Sequence, residues 1–157
     1  MTDKTLFISK APGIMRKLMD DFELDEIQAA GILGNIGTEC MGFHALHEIG
    51  QLKGKGGYGW AQWTGPRRRD FFEFCENNGF FNGGIDGNEW QKDEANYGFL
   101  KFELEGTQKR AISALLKTHT LEEAVEVFEK IFEGAGVLNI NSRIQWAKIA
   151  LDAFKNT

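Results

Sequence analysis

The segment DEIQAAGILGNIGTEC, residues 25–40, carries the clearest fold signal in the sequence. Asp25 is placed to cap the amino end of a helix, and Gln28 follows three residues later, as in a capping box. The apolar positions then keep helical spacing, at Ala29, Ile32, Leu33, Ile36 and Cys40. The segment therefore predicts a helix with a buried apolar face.

Helix signals continue on both sides of this segment. Pro12 is expected to begin the preceding helix, because the missing N–H of proline costs nothing in a first turn. Downstream, helices are predicted after Pro66, from Trp90 to about Leu104, and over TQKRAISALLK, LEEAVEVFEKIF and SRIQWAKIALDAF. Thr120 with Glu123 forms a second capping box, and Ser142 is expected to cap the last helix. Without repeats or linkers, residues 1–157 are predicted to form a single domain.

Residues 41–65 break this helical pattern. Glycines interrupt any helix there, while Tyr58, Trp60 and Trp63 favour extended backbone. We predict a small antiparallel hairpin or three-stranded flap, with KGKGG as its turn. The predicted fold class is therefore α+β, a mostly α-helical domain with a small antiparallel β hairpin or sheet lining a cleft.

Composition argues against several classes of function. The net charge of −5 and the pI of about 5.3 do not favour nucleic acid binding. No apolar run approaches the roughly 20 residues that a membrane span requires, and the start of the chain lacks a secretory signal pattern. Cys40 and Cys75 are predicted to be reduced core residues. His44, His47 and His119 lack the spacing of metal ligands, so neither metal nor cofactor is expected.

Glu39 is the first candidate for catalysis. It lies at the carboxyl end of the predicted helix, three residues after Ile36, so its side chain emerges at the edge of the buried face. The helix dipole disfavours an anion there and partial burial acts in the same direction, so both favour the protonated carboxyl that a general acid needs. The alternative is a carboxylate that only flanks the core.

Glu48 is the candidate for a second catalytic carboxyl. It follows Glu39 closely, in the segment HALHEIG. Glycoside hydrolysis commonly uses two carboxyl groups, one that protonates the leaving oxygen and one that acts as base or nucleophile. Glu48 could take the second role from the predicted flap. A solvated loop residue is the alternative.

The segment GGYGWAQWTGPRRR, residues 56–69, has the composition of a sugar-binding surface. Aromatic faces stack on sugar rings, and an amide both donates hydrogen bonds to and accepts them from sugar substituents. On a strand, alternate residues face opposite sides, so one side can be core and the other cleft. We therefore predict a substrate-binding set of Tyr58, Trp60, Gln62 and Trp63. The arginines at residues 67–69 oppose the dipole of the next helix, which indicates an acidic partner, either internal or an anionic ligand.

The two segments AGILGNIGTECMGF and GGYGWAQWTGPRRRDFFEFC together resemble the phage tail-type lysozyme family, which consists of small muramidase domains in tail-tip proteins and some free endolysins. The matching residues of the first segment are Ala30, Gly31, Ile32, Gly34, Asn35 and Glu39. Those of the second are Gly57, Gly59, Ala61, Gln62, Trp63, Thr64 and Arg68 or Arg69. The closing segments FEKIFEGAG and SRIQWAKIAL extend the resemblance over nearly the whole chain.

The resemblance implies a lysozyme-like α+β fold and hydrolysis of the β-1,4 bond between N-acetylmuramic acid and N-acetylglucosamine in peptidoglycan. It implies that Glu39 is the catalytic acid and that Gln62 and Trp63 line the sugar cleft. The chain departs from the family pattern after this acid, where it reads CMGFHALHE, so the second carboxyl stays open. A lytic transglycosylase and a non-catalytic glycan-binding tail component remain alternatives.

These expectations extend to partners and location. The partner is bacterial peptidoglycan glycan strands, with no nucleic acid, no membrane insertion and a monomeric state. Because no signal peptide is seen, the protein is expected to be made in the host cytoplasm. It would then reach the cell wall as a released endolysin or with the virion.

Overall fold

The computed structural model describes residues 3–134 and 139–157. Within these ranges the chain forms seven α-helices: α1 (Thr5–Phe22), α2 (Glu26–Glu39), α3 (Gly65–Asn77), α4 (Asp93–Glu105), α5 (Lys109–Leu115), α6 (Leu121–Phe128) and α7 (Ile140–Lys155). Two short 3₁₀ segments, Gly84–Asp86 and Glu89–Gln91, precede α4. The π-helical turn Glu129–Glu133 continues α6 directly. No helix within the described ranges is long and apolar enough to cross a membrane.

Helix α2 lies at the centre of the helical bundle and packs against α1, α6 and α7. Its glycines allow two of these neighbours to approach closely. A Cβ on Gly31 would lie 2.7 Å from Cβ of Ala124 on α6, and one on Gly34 would lie 2.3 Å from the carbonyl oxygen of Arg143 on α7. Because these positions carry no side chain, the backbones of three helices meet around one segment of α2.

Both predicted capping boxes are confirmed. The Gln28 amide donates to Asp25 Oδ1 at 2.8 Å, and the Asp25 amide donates to Gln28 Oε1 at 3.0 Å. Thr120 and Glu123 make the same reciprocal pair at 3.1 Å in each direction. Local sequence therefore determines where α2 and α6 begin.

The predicted helix starts at Pro12, Trp90 and Ser142 are wrong. Helix α4 begins at Asp93, after the 3₁₀ segment Glu89–Gln91 that contains Trp90. Helix α1 begins at Thr5 and includes Pro12, because Phe7 in its first turns is fully buried and proline removes only one helical hydrogen bond. Helix α7 begins at Ile140, ahead of Ser142. The Ser142 hydroxyl instead lies 2.9 Å from that of Thr38 on α2.

The predicted β hairpin or sheet is not formed, so the α+β class is wrong and the described chain is an all-α domain. Residues 41–64, the glycine-rich loop, contain turns and two isolated bridges, His47 with Tyr58 and Tyr58 with Trp63. Extended residues must follow one another to form a strand, but Gly59 and Gln62 have φ of 82° and 52°. These left-handed residues turn the chain immediately after Tyr58 and before Trp63, so extended backbone does not continue between the two residues.

Candidate active site

Glu39 is the last residue of α2, and its side chain is 22% exposed. Arg143 of α7 is 3% exposed, and its Nη2 donates to Glu39 Oε2 at 2.8 Å. Among the described residues, Arg143 is the hydrogen-bond partner of the Glu39 carboxylate. The pair places a partly accessible carboxyl against a buried cation at the end of the central helix.

A buried amide holds the guanidinium of Arg143. Arg143 Nη1 donates to Asn35 Oδ1 at 3.0 Å, and Asn35 is fully buried. The Asn35 amide nitrogen in turn donates to the carbonyl oxygens of Gly31 and Val125, at 2.9 and 3.2 Å. Three helices thus fix the orientation of Arg143 and, through it, that of Glu39.

The π-helical turn after α6 brings a further carboxyl close to this pair. Glu133 Oε1 is buried and makes no hydrogen bond within the described ranges. Burial raises the pKa of Glu133 well above its ordinary value, and the charge of Glu39 raises it further. Arg143 acts in the opposite direction. Glu133 therefore lies within electrostatic reach of both members of the Glu39 pair.

Unsatisfied polar atoms concentrate on this part of the molecule. Across the described residues, the buried side-chain atoms without a hydrogen-bond partner are Glu129 Oε1 and Oε2, Glu133 Oε1 and Arg143 Nε, with Glu129 fully buried. Folded proteins pair nearly all such groups, so each exception calls for an explanation, such as a catalytic role or a bound water or ion. π-Helical turns are likewise frequent at functional sites. The unpaired carboxylates and the π-helical turn both lie within Glu129–Glu133.

Arg67 has an internal acidic partner, which is one of the two alternatives predicted for the arginines at residues 67–69. Its Nε and Nη2 donate to Glu103 at 2.8 and 2.6 Å, and Glu103 is 4% exposed. The Trp63 indole N–H donates to the same carboxylate at 2.8 Å. Arg67 Nη1 also donates to the carbonyl oxygen of Phe132, at 2.8 Å. This network joins the end of the glycine-rich loop to α4 and to the π-helical turn.

The four predicted substrate-binding residues fall into two groups. Tyr58, Trp60 and Trp63 are 2%, 1% and 1% exposed, so in this conformation their rings pack in the core and present no open face to a sugar. Gln62 is partly exposed, and its Nε2 donates to the carbonyl oxygens of Ala45 and Gly59, at 3.0 Å each. The aromatic residues anchor the glycine-rich loop, and Gln62 holds one of its turns.

Glu48 is exposed and belongs to the loop's own hydrogen bonding. Its Oε1 accepts from the Gly57 amide at 3.0 Å, and its Oε2 accepts from Gln51 at 3.3 Å. The Glu48 amide donates back to the Gly57 carbonyl oxygen at 2.8 Å. The structure thus gives Glu48 a bracing contact across the loop.

Sequence reasoning missed Arg143, Asn35 and Glu133. The signal for Asn35 was available, since it is a polar residue on the apolar face of a predicted helix. Arg143 is 104 residues from Glu39 in sequence, and no local spacing connects the two. Glu133 depended on a π-helical turn, which the helical periodicity of the segment does not reveal.

Comparison with known proteins identifies the family. A family model described as phage tail lysozyme matches residues 9–154, nearly the whole chain. The chain belongs to the phage tail lysozyme family, and membership indicates a lysozyme-like function that acts on peptidoglycan. No curated protein and no solved structure matches the chain.

Proposed function

We propose that the protein is a peptidoglycan hydrolase, a muramidase that cleaves the β-1,4 bond between N-acetylmuramic acid and N-acetylglucosamine with Glu39 as general acid. Family membership over residues 9–154 supports the substrate class. The observation that carries the choice of Glu39 is its position: it is a partly exposed carboxyl at the end of the central helix, oriented by the buried guanidinium of Arg143. A bacteriolytic role follows, for an endolysin released at lysis or an enzyme carried in the virion.

In this mechanism Glu39 donates its proton to the glycosidic oxygen as the C–O bond breaks. Positive charge develops at the anomeric carbon, and a water oxygen then bonds to that carbon while its proton passes to a base. Arg143 stabilises the Glu39 carboxylate that the donation leaves behind, because its Nη2 is already 2.8 Å away. Asn35 keeps the guanidinium in place throughout, so reorganisation is small.

The glycine-rich loop is proposed to form one wall of the glycan site. Gln62 is the partly exposed member of the predicted set, and its Oε1 accepts no hydrogen bond from the described residues. That oxygen could accept from a sugar hydroxyl or N-acetyl group. Tyr58, Trp60 and Trp63 act indirectly, by holding the loop against the helices.

The identity of the base decides between hydrolysis and a second candidate reaction. Glu48 is the base predicted from sequence, yet both of its carboxylate oxygens accept hydrogen bonds within the loop. A lytic transglycosylase cleaves the same bond with one glutamate and closes a 1,6-anhydro ring without adding water. The occupied carboxylate of Glu48 is the observation that favours this alternative.

Digestion of purified peptidoglycan, followed by mass spectrometry of the fragments, tests the proposal. The parent protein is expected to release fragments with a reducing sugar, and Glu39→Gln should release none. Glu126→Gln, an exposed carboxylate on α6, is the matched control and should cleave normally. Fragments lighter by one water would replace hydrolysis with transglycosylation. Cleavage by Glu39→Gln at the parental rate would refute the role of Glu39.

Glu48→Gln tests the second carboxyl in the same digestion. If Glu48 is the base, the variant loses hydrolysis while it stays folded. If Glu48 only braces the loop, the variant keeps cleavage, because the Oε1 of glutamine can still accept from the Gly57 amide.

A further inference from the structure

A pair of hydroxyl groups lies beside the proposed acid, and the mechanism above does not use it. The hydroxyl oxygens of Thr38 on α2 and Ser142 on α7 are 2.9 Å apart. Each residue directly precedes a member of the Glu39–Arg143 pair, and consecutive Cα atoms are about 3.8 Å apart. Two side-chain contacts, of 2.9 and 2.8 Å, therefore join α2 to α7 at neighbouring positions. The hydroxyl pair is thus a direct neighbour of the carboxyl that is proposed to meet the glycosidic oxygen.

Both hydroxyls are accessible and free of the backbone. Ser142 is exposed and Thr38 is half-buried, whereas Arg143 is 3% exposed. Hydroxyls within helices commonly donate to a carbonyl oxygen of the preceding turn, yet neither of these makes such a bond in the described structure. Nor does Ser142 cap a helix, because α7 begins at Ile140. The two hydroxyls bond each other instead, at an edge of the α2–α7 contact that solvent reaches.

The contact between α2 and α7 does not depend on this hydrogen bond. A Cβ on Gly34 would lie 2.3 Å from the Arg143 carbonyl oxygen, and one on Gly37 would lie 2.7 Å from Cγ of Trp146. Such close packing holds the two helices together along their buried faces. An accessible hydrogen bond adds little to this, because water replaces the partner when the bond breaks. Packing therefore does not explain the hydroxyl pair.

The pair matches the hydrogen-bonding groups of an amide. One hydroxyl donates its hydrogen to the other, which leaves one O–H free to donate and lone pairs on both oxygens free to accept. An acetamido group carries one N–H donor and one carbonyl acceptor. In peptidoglycan this group is on C2 of N-acetylmuramic acid, directly bonded to the anomeric carbon of the bond that is cleaved. Hydroxyls next to Glu39 are therefore well placed to meet it.

We propose that the Thr38–Ser142 hydroxyl pair binds the C2 acetamido group of the N-acetylmuramic acid residue at the cleavage site and makes the enzyme specific for N-acetylated glycan strands. This role rests on the proposed function, because it adds a substrate contact to the same site. The free O–H donates to the acetamido carbonyl oxygen, and a hydroxyl oxygen accepts from the acetamido N–H. A sugar without the acetyl group leaves these hydroxyl groups unpaired, so the site discriminates against it. The same two bonds hold the sugar in place while Glu39 donates its proton.

Thr38→Val tests the specificity, because it removes one hydroxyl and keeps the branched shape of the side chain. On N-acetylated peptidoglycan, kcat/KM of this variant is expected to fall about tenfold, the effect of about one lost hydrogen bond. On chemically de-N-acetylated glycan strands, parent and variant should differ by less than about twofold, because neither protein can form the bond. The same fold loss on both substrates would overturn the proposal, since damage to the fold ignores the acetyl group.

Ser142→Ala is the second variant and should give the same pattern. Because Ser142 is exposed, this variant keeps the fold even if Thr38→Val does not. Ser113→Ala removes an exposed hydroxyl from α5 and is the matched control, which should equal the parent on both substrates. Parental kcat/KM of Ser142→Ala on N-acetylated peptidoglycan would also overturn the proposal.

A binding measurement separates this proposal from the proposed function. In the Glu39→Gln protein, soluble N-acetylated glycan strands should bind about tenfold more weakly once Thr38→Val or Ser142→Ala is added. Adding Ser113→Ala should leave this binding unchanged. Unchanged binding with Thr38→Val and with Ser142→Ala would overturn the role of the hydroxyl pair even if the parent cleaves peptidoglycan. Weaker binding with both, without any cleavage by the parent, would support the pair and refute the proposed hydrolysis.

Discussion

The packing of α2 against α7 makes Gly34→Ala a severe test of the fold. A Cβ at this position would lie 2.3 Å from the Arg143 carbonyl oxygen, 2.6 Å from Ala147 Cβ and 2.9 Å from the Ala147 amide nitrogen. Ordinary contacts begin near 3.4 Å, so the helices must separate by about 1 Å, and overpacking of this kind costs about 1–3 kcal/mol. Two of the three obstructing atoms are backbone and cannot move without α7 itself.

The matched control is Gly13→Ala on α1, where an added Cβ meets nothing within 4 Å. Alanine in a helix interior is favoured over glycine, so the control should gain about 0.5–1 kcal/mol. Thermal denaturation should separate the two variants, with Gly34→Ala melting about 4–8 °C below the parent for a loss of about 2 kcal/mol. Since the obstructed carbonyl belongs to Arg143, cleavage of peptidoglycan should fall as well. Equal melting temperatures for both variants would refute the close packing of α2 and α7.

Three further predictions concern buried polar groups. Burial raises the pKa of the Cys40 and Cys75 thiols to about 12, so both should resist iodoacetamide near pH 8 until the protein is unfolded, as mass spectrometry would detect. Glu103→Gln breaks a buried ion pair and should lower the free energy of unfolding by about 3 kcal/mol in urea, whereas Lys101→Gln, which breaks an exposed pair, should cost under about 1 kcal/mol. Because folding raises the pKa of Glu133, the folded protein retains a proton that the unfolded chain releases, and stability falls as pH rises above the ordinary value for glutamate. Glu133→Gln should therefore gain stability relative to the parent as pH rises, by at most about 1.4 kcal/mol per pH unit, and an equal pH dependence of melting in both proteins would contradict this.

The helical part of the fold was predictable because its signals are local. A capping box needs only a side chain and its own third neighbour, so Asp25 and Thr120 each mark a helix start correctly. The helix start predicted at Pro12 was wrong because proline is permitted both in a first turn and, at some cost, inside a helix. The burial of Phe7 selects the longer helix, and that burial depends on contacts with Phe43 and Trp146, which are distant in sequence.

The glycine-rich loop could not be predicted from residue preferences. Tyr58, Trp60 and Trp63 have high β propensity, but that preference reflects a fit to partly buried surfaces rather than a backbone conformation. Here the three aromatic side chains are buried by a segment made of turns. Gln62 adopts a left-handed conformation that a strand excludes. Glu39 was accessible to sequence reasoning because a helix end has a local signature. The charges that act on it come from Arg143 and Glu133, far along the chain, so the electrostatics of the site needed the structure.

Two acids and two arginines act on the pKa of Glu133. Its four charged neighbours are Glu39, Glu103, Arg67 and Arg143, two negative and two positive, so they sum to zero. With Glu39 and Glu103 ionised, this group of five residues is neutral when Glu133 is protonated and carries a charge of −1 when Glu133 is ionised. An uncompensated charge in a buried cluster is costly, which is why desolvation dominates the raised pKa of Glu133.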